Sequence, residues 1–313
     1  MSTSTTKLKE GLLYLGLLLP LAWYGHRLLQ RPSFSSAEPQ LIYQGITYSR
    51  HVETAPRPQV IHILEIDLTA PGLKPFSTPS YEETQTRKPQ TENRRTQAQR
   101  TSDFLQTHQL QLAVNANFFY PFKEIAPWNY GPRSGTPTSL VGVAISNSEI
   151  ISQPHPRYSA LCLWDGRAEI VWEQPCPTGT EQGVSGQPLW LKEGSPPEAM
   201  AFVADSLKSK RAYPLTIAAL NAEGTRLWLL LSDGKQPLYS EGTTIKEASE
   251  RLKALGAVTA VQLDGGGSTT LAIEVEGRPQ VINAVIHAKV PGLDRPVANH
   301  LGFYAQPLAP QPK

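Results

Sequence analysis

The chain has 313 residues, of which 40% are hydrophobic and 18% charged, and its 29 basic and 27 acidic residues give a net charge of +2. A charge so near neutral argues against a dedicated nucleic-acid binder, which concentrates basic residues on one surface, and against an acidic disordered chain. The 28 prolines and 23 glycines predict many turns, short strands and few long helices, so coiled coils and helical bundles are poor fits.

An uncharged apolar run, Gly11 to Tyr24, lies near the N-terminus, with lysines before it and arginines after it. Its length is typical of the hydrophobic part of a signal sequence and short for a membrane span. The small-residue site Ser35–Ala37 lies far downstream, so we favour an uncleaved anchor over a cleaved signal, with a buried helix as the third alternative. We therefore expect residues 1–40 to be a signal or anchor segment with a linker. The remaining residues, 41–313, are then exported and held by the membrane on its extracytoplasmic side.

The chain has two cysteines, Cys162 and Cys176, and no Cys-x-x-Cys pair. In an oxidising compartment the two can form a disulfide, and the alternative is two buried thiols. The seven histidines are scattered without the spacing of a helical metal site. The sequence therefore predicts neither a bound metal nor a cofactor.

The body of the chain is predicted to be one α+β domain, rich in strands and poor in helices, because its strand patterns do not alternate strictly with helical ones. The predicted strands are runs of β-branched and hydrophobic residues bounded by turn residues. They are Leu41–Ser49, Val60–Leu68, Leu112–Phe119, Val141–Ile145, Leu161–Trp164, Ala168–Trp172, Ala199–Val203, Leu215–Leu220, Arg226–Leu231, Val258–Leu263, Leu271–Val275 and Gln280–Ile286.

Two helices are predicted among these strands. Ser102 is expected to cap the first, which runs to about His108. Thr244 and Glu247 form a capping box at the start of the second, and Gly256 ends it. Before the first helix, residues 75–100 are polar and form either a solvated loop or a basic flap beside an anionic substrate. The flap would use Arg87, Lys88, Arg94 and Arg95.

The strongest candidate site begins where a hydrophobic strand ends in Asp264. Three glycines and a hydroxyl follow, namely Gly265, Gly266, Gly267 and Ser268. Successive glycines can aim several backbone N–H groups at one point, which makes an anion-binding nest beside the carboxylate. The segment lacks the Gly-Lys-Ser/Thr ending of a P-loop. The alternative is a tight turn between two strands.

Four further residues are candidates for a functional site. Asn115 and Asn117 share one face of a predicted strand, where asparagine is disfavoured, which indicates a hydrogen-bonding site for a polyhydroxylated ligand. Arg211 precedes a strand and either holds phosphate through its planar fork or is a surface charge. Glu247 supplies a carboxylate or only completes the capping box.

Taken in order, seven segments of the chain resemble the phosphodiester glycosidase family. They are Thr101-Ser-Asp-Phe-Leu, Asn115-Ala-Asn-Phe-Phe, Gly186-Gln-Pro, Arg211, Gly242-Thr-Thr-Ile-Lys-Glu247, Leu263-Asp-Gly-Gly-Gly-Ser-Thr and Arg295-Pro-Val-Ala-Asn-His-Leu-Gly. The resemblance covers about Val60 to Tyr304. Its most specific parts are the Asp-Gly-Gly-Gly-Ser and Asn-x-x-Phe-Phe segments.

This resemblance implies hydrolysis of a sugar-1-phosphodiester at the glycosidic bond, which releases sugar from a phosphorylated glycan or envelope component. A phosphate monoester is a good leaving group, so strong acid catalysis is less necessary. The site needs a carboxylate that attacks the anomeric carbon or activates water, and hydrogen-bond donors or cations that hold the phosphate. Asp264 and Glu247 are the catalytic candidates. The substrate-binding candidates are Asn115 and Asn117 for the sugar, and Arg211, Arg295, Gly265, Gly266, Gly267 and Ser268 for the phosphate.

The alternative is a protein of the cell envelope that has the same fold and binds glycans without turnover. The resemblance to bacterial family members implies a role in exopolysaccharide metabolism. A serine hydrolase using Ser268 is a weaker reading, because no Gly-x-Ser-x-Gly elbow surrounds that residue. The expected partners are a phosphorylated carbohydrate and, through the N-terminal segment, a membrane, with no nucleic acid.

Overall fold

The computed structural model describes residues 18–81, 96–126, 129–189, 191 and 211–308. Over these residues, antiparallel strands form two large packed sheets and three small ones of two or three strands, with helices on the outer faces, which confirms the predicted α+β class. The predicted strand Ala199–Val203 and the four basic residues of the predicted flap lie outside the described residues.

The strands are short, as the many prolines and glycines predict. In chain order they are β1 Ala37–Tyr43, β2 Ile46–Glu53, β3 Gln59–Asp67, β4 Lys74–Ser77, β5 Thr96–Gln97, β6 Leu112–Asn115, β7 Phe119–Tyr120, β8 Glu124–Ala126, β9 Asn129–Tyr130, β10 Pro137–Leu140, β11 Ala144–Ser146, β12 Glu149–Ser152, β13 Ser159–Trp164, β14 Arg167–Trp172, β15 Gln182–Leu189, β16 Leu215–Leu220, β17 Arg226–Ser232, β18 Thr259–Gln262, β19 Leu271–Val275, β20 Arg278–Val281, β21 Ile286–His287, β22 Val290–Pro291 and β23 His300–Tyr304. The helices are α1 over residues 18–29, α2 Thr101–Thr107 and α3 Ile245–Ala254, with a 3₁₀ turn at Gly266–Ser268.

The larger sheet has eleven strands. Its main path is β1-β2-β3-β17-β16-β18-β15-β11-β12, and β13 joins β15 and carries β14. The central strand β16 places Ala218 opposite Leu229 of β17 on one side and Val261 of β18 on the other. Strand β18 therefore runs beside the fully buried β16 and ends two residues before Asp264.

The smaller sheet has five strands in the order β20-β19-β6-β23-β4. It packs on the larger sheet through one continuous core. Leu64 and Leu229 of the larger sheet meet Val114, Leu271 and Leu301 of the smaller one there, all without accessible surface. The two sheets therefore form a sandwich, and residues that follow β6 and β18 can meet at its edge.

Two helices cover the outer faces of the sandwich. Ala248 and Leu252 of α3 pack on Ile217 of the larger sheet, and Phe104 of α2 packs on Ala113 of the smaller sheet. The central strands, such as β16 and β6, are thus buried on both faces, which explains why they are hydrophobic without clean alternation.

The predicted cap of α3 is confirmed and that of α2 is corrected. The Thr244 hydroxyl accepts from the main-chain N–H of Glu247, and the Glu247 carboxylate accepts from that of Thr244, at 2.8 Å for the second bond. Helix α2 begins one residue before Ser102, with no side-chain cap. The Ser102 hydroxyl instead donates to Asp294 at 2.9 Å, because the loop before β23 lies over the first turn.

Several predicted strands have different limits in the structure. The run Leu41–Ser49 is two strands, β1 and β2, divided at Gly45, which has a positive φ of 78°. Leu112–Phe119 ends as a strand at Asn115, so Asn115 and Asn117 do not share a strand face. Gln280–Ile286 is likewise divided between β20 and β21. Strand β15 was not predicted, since its glycines and serine are atypical of strands, and pairing with β11, β13 and β18 holds it in the sheet.

A disulfide joins Cys162 on β13 to Cys176, with their Cα atoms 5.6 Å apart, so the alternative of two thiols is excluded. At the N-terminus, no helix in the described part of the chain combines the length and apolarity that crossing a membrane requires. Strand β1 begins at Ala37, inside the N-terminal segment 1–40. The division at residue 40 stays a prediction.

Candidate functional site

The candidate site lies at the edge of the sandwich where β6 and β18 end. Asp264 follows β18, and its main-chain N–H donates to the carbonyl of Ala116, just after β6, at 2.8 Å. One strand of each sheet therefore contributes to the backbone that carries the Asp264 carboxylate.

The buried side chain of Asn115 holds the turn that follows Asp264. Its amide group donates to the carbonyl of Asp264, and its oxygen accepts from the N–H of Thr270 at 3.1 Å and from the hydroxyl of Thr216 at 2.8 Å. Asn115 therefore ties both ends of the turn to strand β16.

Asn117 is also buried and fully hydrogen-bonded. Its amide donates to the carbonyls of Val141 and Val143, and its oxygen accepts from Ser185 N–H and from the Asn299 amide, each at 2.8 Å. An asparagine side chain offers two donors and two lone pairs, all of which are used here. In this structure Asn115 and Asn117 thus bond to the protein, and the sugar contacts predicted for them stay a prediction.

The glycine turn is shaped by close packing. A Cβ on Gly267 would lie 2.2 Å from the Arg295 guanidinium and 2.7 Å from the Ile286 carbonyl. Gly266 has a positive φ of 65° and lies against the Tyr213 hydroxyl. These glycines are required because Arg295 and Tyr213 approach the backbone too closely for any side chain.

The predicted nest is partly occupied by the protein itself. The N–H of Gly265 donates to the Asp264 carboxylate at 2.9 Å, and the N–H of Gly266 donates to the Pro214 carbonyl at 2.9 Å. Two of the three glycine donors thus already have partners. Binding of an anion at the turn therefore depends mainly on neighbouring cations.

Arg295 is the principal cation of the site and is only 7% exposed. Its Nε donates to His287 Nδ1 at 3.1 Å, its Nη1 donates to the Ser268 hydroxyl at 3.3 Å, and its guanidinium lies over the rings of Phe122 and Tyr130. Burial, followed by the Arg295 charge, lowers the pKa of His287 to about 4, so His287 is neutral at neutral pH and can accept this bond. Arg295 is thereby fixed in one orientation.

Burial raises the pKa of Asp264 to about 6. The Ser268 hydrogen bond, the Arg295 charge, the Gly265 N–H and the Lys235 charge all oppose that rise. The Ser268 hydroxyl, which accepts from Arg295, is thus also one of the groups that lower the pKa of Asp264. At neutral pH Asp264 is therefore mainly a carboxylate. Its pKa lies close to neutral pH, as suits a general base.

Two neighbours of Asp264, Lys235 and Tyr158, were not predicted from the sequence. The Lys235 ammonium donates to the Tyr213 hydroxyl at 2.7 Å and contributes positive charge at Asp264. Burial raises the pKa of Tyr158; a hydrogen bond from Gln187 opposes this, and the Asp264 charge adds to it. Gln187, the partner of Tyr158, belongs to the Gly186-Gln-Pro segment that resembles the family, and this segment was the only sequence feature that pointed to this part of the site. Lys235 and Tyr158 lie in loops without a recognisable motif.

Glu247 and Arg211 have other partners in the structure. Glu247 pairs with Arg57 and caps α3. Burial raises its pKa, but the hydrogen bonds from Thr244 and Arg57 outweigh that and lower it. Among the residues that the structure describes, no hydrogen bond or ion pair joins Glu247 to Asp264. Arg211 is exposed, with its guanidinium 5.2 Å from the centre of the Tyr213 ring that Lys235 also covers.

A cavity of about 370 Å³ adjoins the turn, within the size range of small-molecule sites. Its walls include Gly267, Arg295, Lys235 and Tyr130, together with Tyr24 of α1 and Arg31 just after it. Asp264 itself does not line this cavity. Arg295 and Gly267 connect the cavity to the carboxylate, and the N-terminal segment forms part of its wall.

Comparison with known proteins gives one family. The phosphodiester glycosidase family matches residues 108–304, which include every candidate site residue. A search of curated protein sequences finds no match.

Three solved structures share the fold at low identity. A hypothetical protein from Synechocystis has a TM-score of 0.53 and 14% identity; the match covers 84% of this chain and 62% of that one. The catalytic domain of zebrafish N-acetylglucosamine-1-phosphodiester α-N-acetylglucosaminidase, described as auto-inhibited by its pro-peptide, has a TM-score of 0.54 and 16% identity, covering 88% and 87%. A Burkholderia pseudomallei protein described as exported has a TM-score of 0.51 and 14% identity, covering 81% and 75%.

Proposed function

The chain belongs to the phosphodiester glycosidase family, and we propose that it hydrolyses sugar-1-phosphodiesters at the glycosidic bond. The observation that carries this proposal is the contact of the buried Arg295 guanidinium with the turn that follows Asp264, where it donates to the Ser268 hydroxyl and lies against Gly267. A carboxylate suited to the anomeric carbon thus lies beside a cation suited to the phosphate.

In the proposed reaction the bond between the anomeric carbon and the phosphate oxygen breaks, and water supplies the new oxygen on the sugar. Asp264 acts as the base for water, as the nucleophile, or as the stabiliser of positive charge on the sugar. Arg295 neutralises the charge on the departing phosphate monoester through its planar donors. Because His287 and Ser268 hold Arg295 in place, this stabilisation needs no reorganisation during the reaction.

The remaining phosphate contacts come from cations around Tyr213. Lys235 and Arg211 both lie over that ring, and Lys235 also lines the cavity. We assign these two residues, with Gly267 and Ser268, to the phosphate side of the site. Asn115 and Asn117 hold the backbone around the site, and Glu247 caps α3.

We also propose that the protein is exported and acts on an envelope or exopolysaccharide component. The apolar N-terminal run and the Cys162–Cys176 disulfide both fit an oxidising compartment outside the cytoplasm. The similarity to a protein described as exported agrees with this location. Anchoring through the N-terminal run stays a prediction, which membrane fractionation of the full chain would check.

The N-terminal segment is proposed to restrict access to the site. Tyr24 and Arg31 form part of the cavity wall beside Arg295, and the zebrafish relative is described as inhibited by its own pro-peptide. Movement of α1 would therefore widen the entrance to the cavity.

The decisive experiment is hydrolysis in ¹⁸O-labelled water. The full-length protein is incubated with a sugar-1-phosphodiester of methanol, with the matching methyl glycoside as a control substrate. Glycosidic cleavage places the label on the released sugar, and cleavage of the phosphorus–oxygen bond would place it on phosphate. Label on phosphate would contradict the proposal.

A glycan-binding protein without turnover is the second candidate. It is favoured by one observation, which is that Glu247, the second carboxylate candidate, is engaged in the helix cap. Binding of the same phosphodiester without any release of sugar would support this alternative.

A further inference from the structure

A second cavity, of about 480 Å³, lies next to the first. Tyr130 lines both cavities. His287 lines the second, and its ring accepts the hydrogen bond of Arg295, which lines the first. The two cavities therefore share one wall, made of Tyr130, His287 and Arg295.

The second cavity is rich in positive charge. Arg100, Lys123 and Arg133 line it, and all three are exposed. No ion pair with a carboxylate in the described ranges neutralises any of them. Unpaired cations that surround a concave surface attract anions more strongly than scattered surface charges do, because their fields add within the cleft.

One carboxylate, Asp294, also lines this cavity; burial raises its pKa, and the charge of Arg100 opposes that rise. Asp294 accepts hydrogen bonds from the hydroxyl of Ser102 at 2.9 Å and from that of Thr270 at 3.3 Å. The other titratable lining groups, Tyr130 and His287, are neutral at neutral pH, because burial raises the pKa of the first and lowers that of the second. Because three cations face one carboxylate, the cavity carries a net positive charge.

We propose that this cavity is a second anion-binding subsite, which accepts an additional phosphate on the alcohol portion of the substrate. The proposal rests on the function proposed above, in which Arg295 holds the scissile phosphate in the first cavity. A substrate with one phosphate on each side of the shared wall uses both cavities. The preferred substrates are then sugar-1-phosphodiesters whose departing alcohol is itself phosphorylated, as in a chain of phosphate-linked units.

The test compares two substrates and three proteins. One substrate is the sugar-1-phosphodiester of methanol, and the other is the same sugar linked to glycerol phosphate. The proteins are the full-length wild type, the double variant Lys123→Ala/Arg133→Ala, and the control Arg278→Ala, which removes an exposed arginine of β20 outside both cavities.

The wild type is expected to prefer the glycerol phosphate substrate. The double variant should lose at least about tenfold in kcat/KM on that substrate, mainly through KM, as expected for charged contacts. Its kcat/KM on the methanol substrate and all values for Arg278→Ala should stay within about twofold of the wild type. Equal losses on both substrates, or no loss on either, would overturn the subsite.

Calorimetric titration with inorganic phosphate tests the cavity without turnover. The wild type should bind phosphate at two sites, and the double variant should keep only one. If neither substrate is hydrolysed, the proposed function is wrong. The titration then still shows whether the second cavity binds phosphate. An unchanged number of sites in the double variant would exclude the subsite.

Discussion

The side-chain amide of Asn115 donates to the main-chain carbonyl of Asp264, so a residue of the smaller sheet holds the carboxylate-bearing turn of the larger one. Asn115 is buried, and an unpaired buried polar group costs about 1–3 kcal/mol. The position of the Asp264 carboxylate is therefore determined by the packing of the two sheets rather than by the turn alone.

Replacing Asp264 tests the centre of the proposed mechanism. Asp264→Asn keeps the size and the acceptor for Gly265 but removes the charge, so turnover should fall by about 10²–10⁴-fold. Released sugar is measured together with the melting temperature. The control Asp165→Asn, at an exposed turn between β13 and β14, should behave as the wild type. Near-normal turnover in Asp264→Asn would remove Asp264 from the mechanism.

The raised pKa of Asp264 predicts a pH dependence of activity and an opposite one of stability. Because the carboxylate is the active form, kcat/KM should rise with pH through about 6. The folded protein holds this proton more tightly than the unfolded chain, whose Asp pKa is about 4. The Asp264 contribution to stability is thus full below about pH 4 and is lost as the pH rises through 6.

The Asp264→Asn variant should therefore be more stable than the wild type at pH 8. We expect a gain of about 1–2 kcal/mol in the free energy of unfolding, since part of Asp264 stays accessible to solvent and weakens the effect. Below pH 4 the two proteins should have similar stability. Denaturant unfolding at both pH values checks this, and a stability gap that is independent of pH would contradict the raised pKa.

Gly267 is expected to tolerate no side chain. In Gly267→Ala the new methyl group meets the Arg295 guanidinium and the Ile286 carbonyl, so either Arg295 moves or the turn shifts. The variant should lose about 1–3 kcal/mol of stability and at least about tenfold in kcat/KM. Gly25→Ala is the control, because nothing lies within 4 Å of its new methyl group. Normal activity in Gly267→Ala would show that the placement of Arg295 is not required.

Glu247 is predicted to support stability and not turnover. Glu247→Gln keeps a capping side chain but loses the ion pair with Arg57, and because a third of the Glu247 side chain is exposed, the cost should be about 0.5–1 kcal/mol. The rate of sugar release should stay close to that of the wild type. Glu250→Gln on the exposed side of α3 is the matched control. A lost rate with an unchanged melting temperature would instead make Glu247 the second catalytic carboxylate.

The N-terminal segment is expected to slow access to the site. In Tyr24→Ala/Arg31→Ala two side chains leave the cavity wall, and kcat/KM should rise by up to about tenfold if the open form is the minor one. Leu29→Ala, on an 85% exposed residue of α1, is the control. A fall in kcat/KM would show that Tyr24 and Arg31 help to bind substrate.

Much of the fold could be predicted from the sequence because it depends on neighbouring residues. The capping box of α3 needs only Thr244 and Glu247, three positions apart, and the strand at Leu215–Leu220 needs only a short hydrophobic run. The glycine turn after Asp264 was found for the same reason. Strand β15, whose glycines and serine give no local signal, could not be found, because its place depends on pairing with distant strands.

The partners of the site residues were decided only by the tertiary structure. The pairing of Arg295 with His287 and Ser268, and the contacts of Asn117 with Val141 and Asn299, join segments that the sequence leaves unrelated. A residue type states which hydrogen bonds a side chain can make, but burial and register decide which of them it does make. The sequence by itself therefore determined that a carboxylate, a glycine turn and cations belong to this protein. The packing of two sheets decided that Asp264 and Arg295 meet, that both asparagines support the site, and that Glu247 lies in a helix cap.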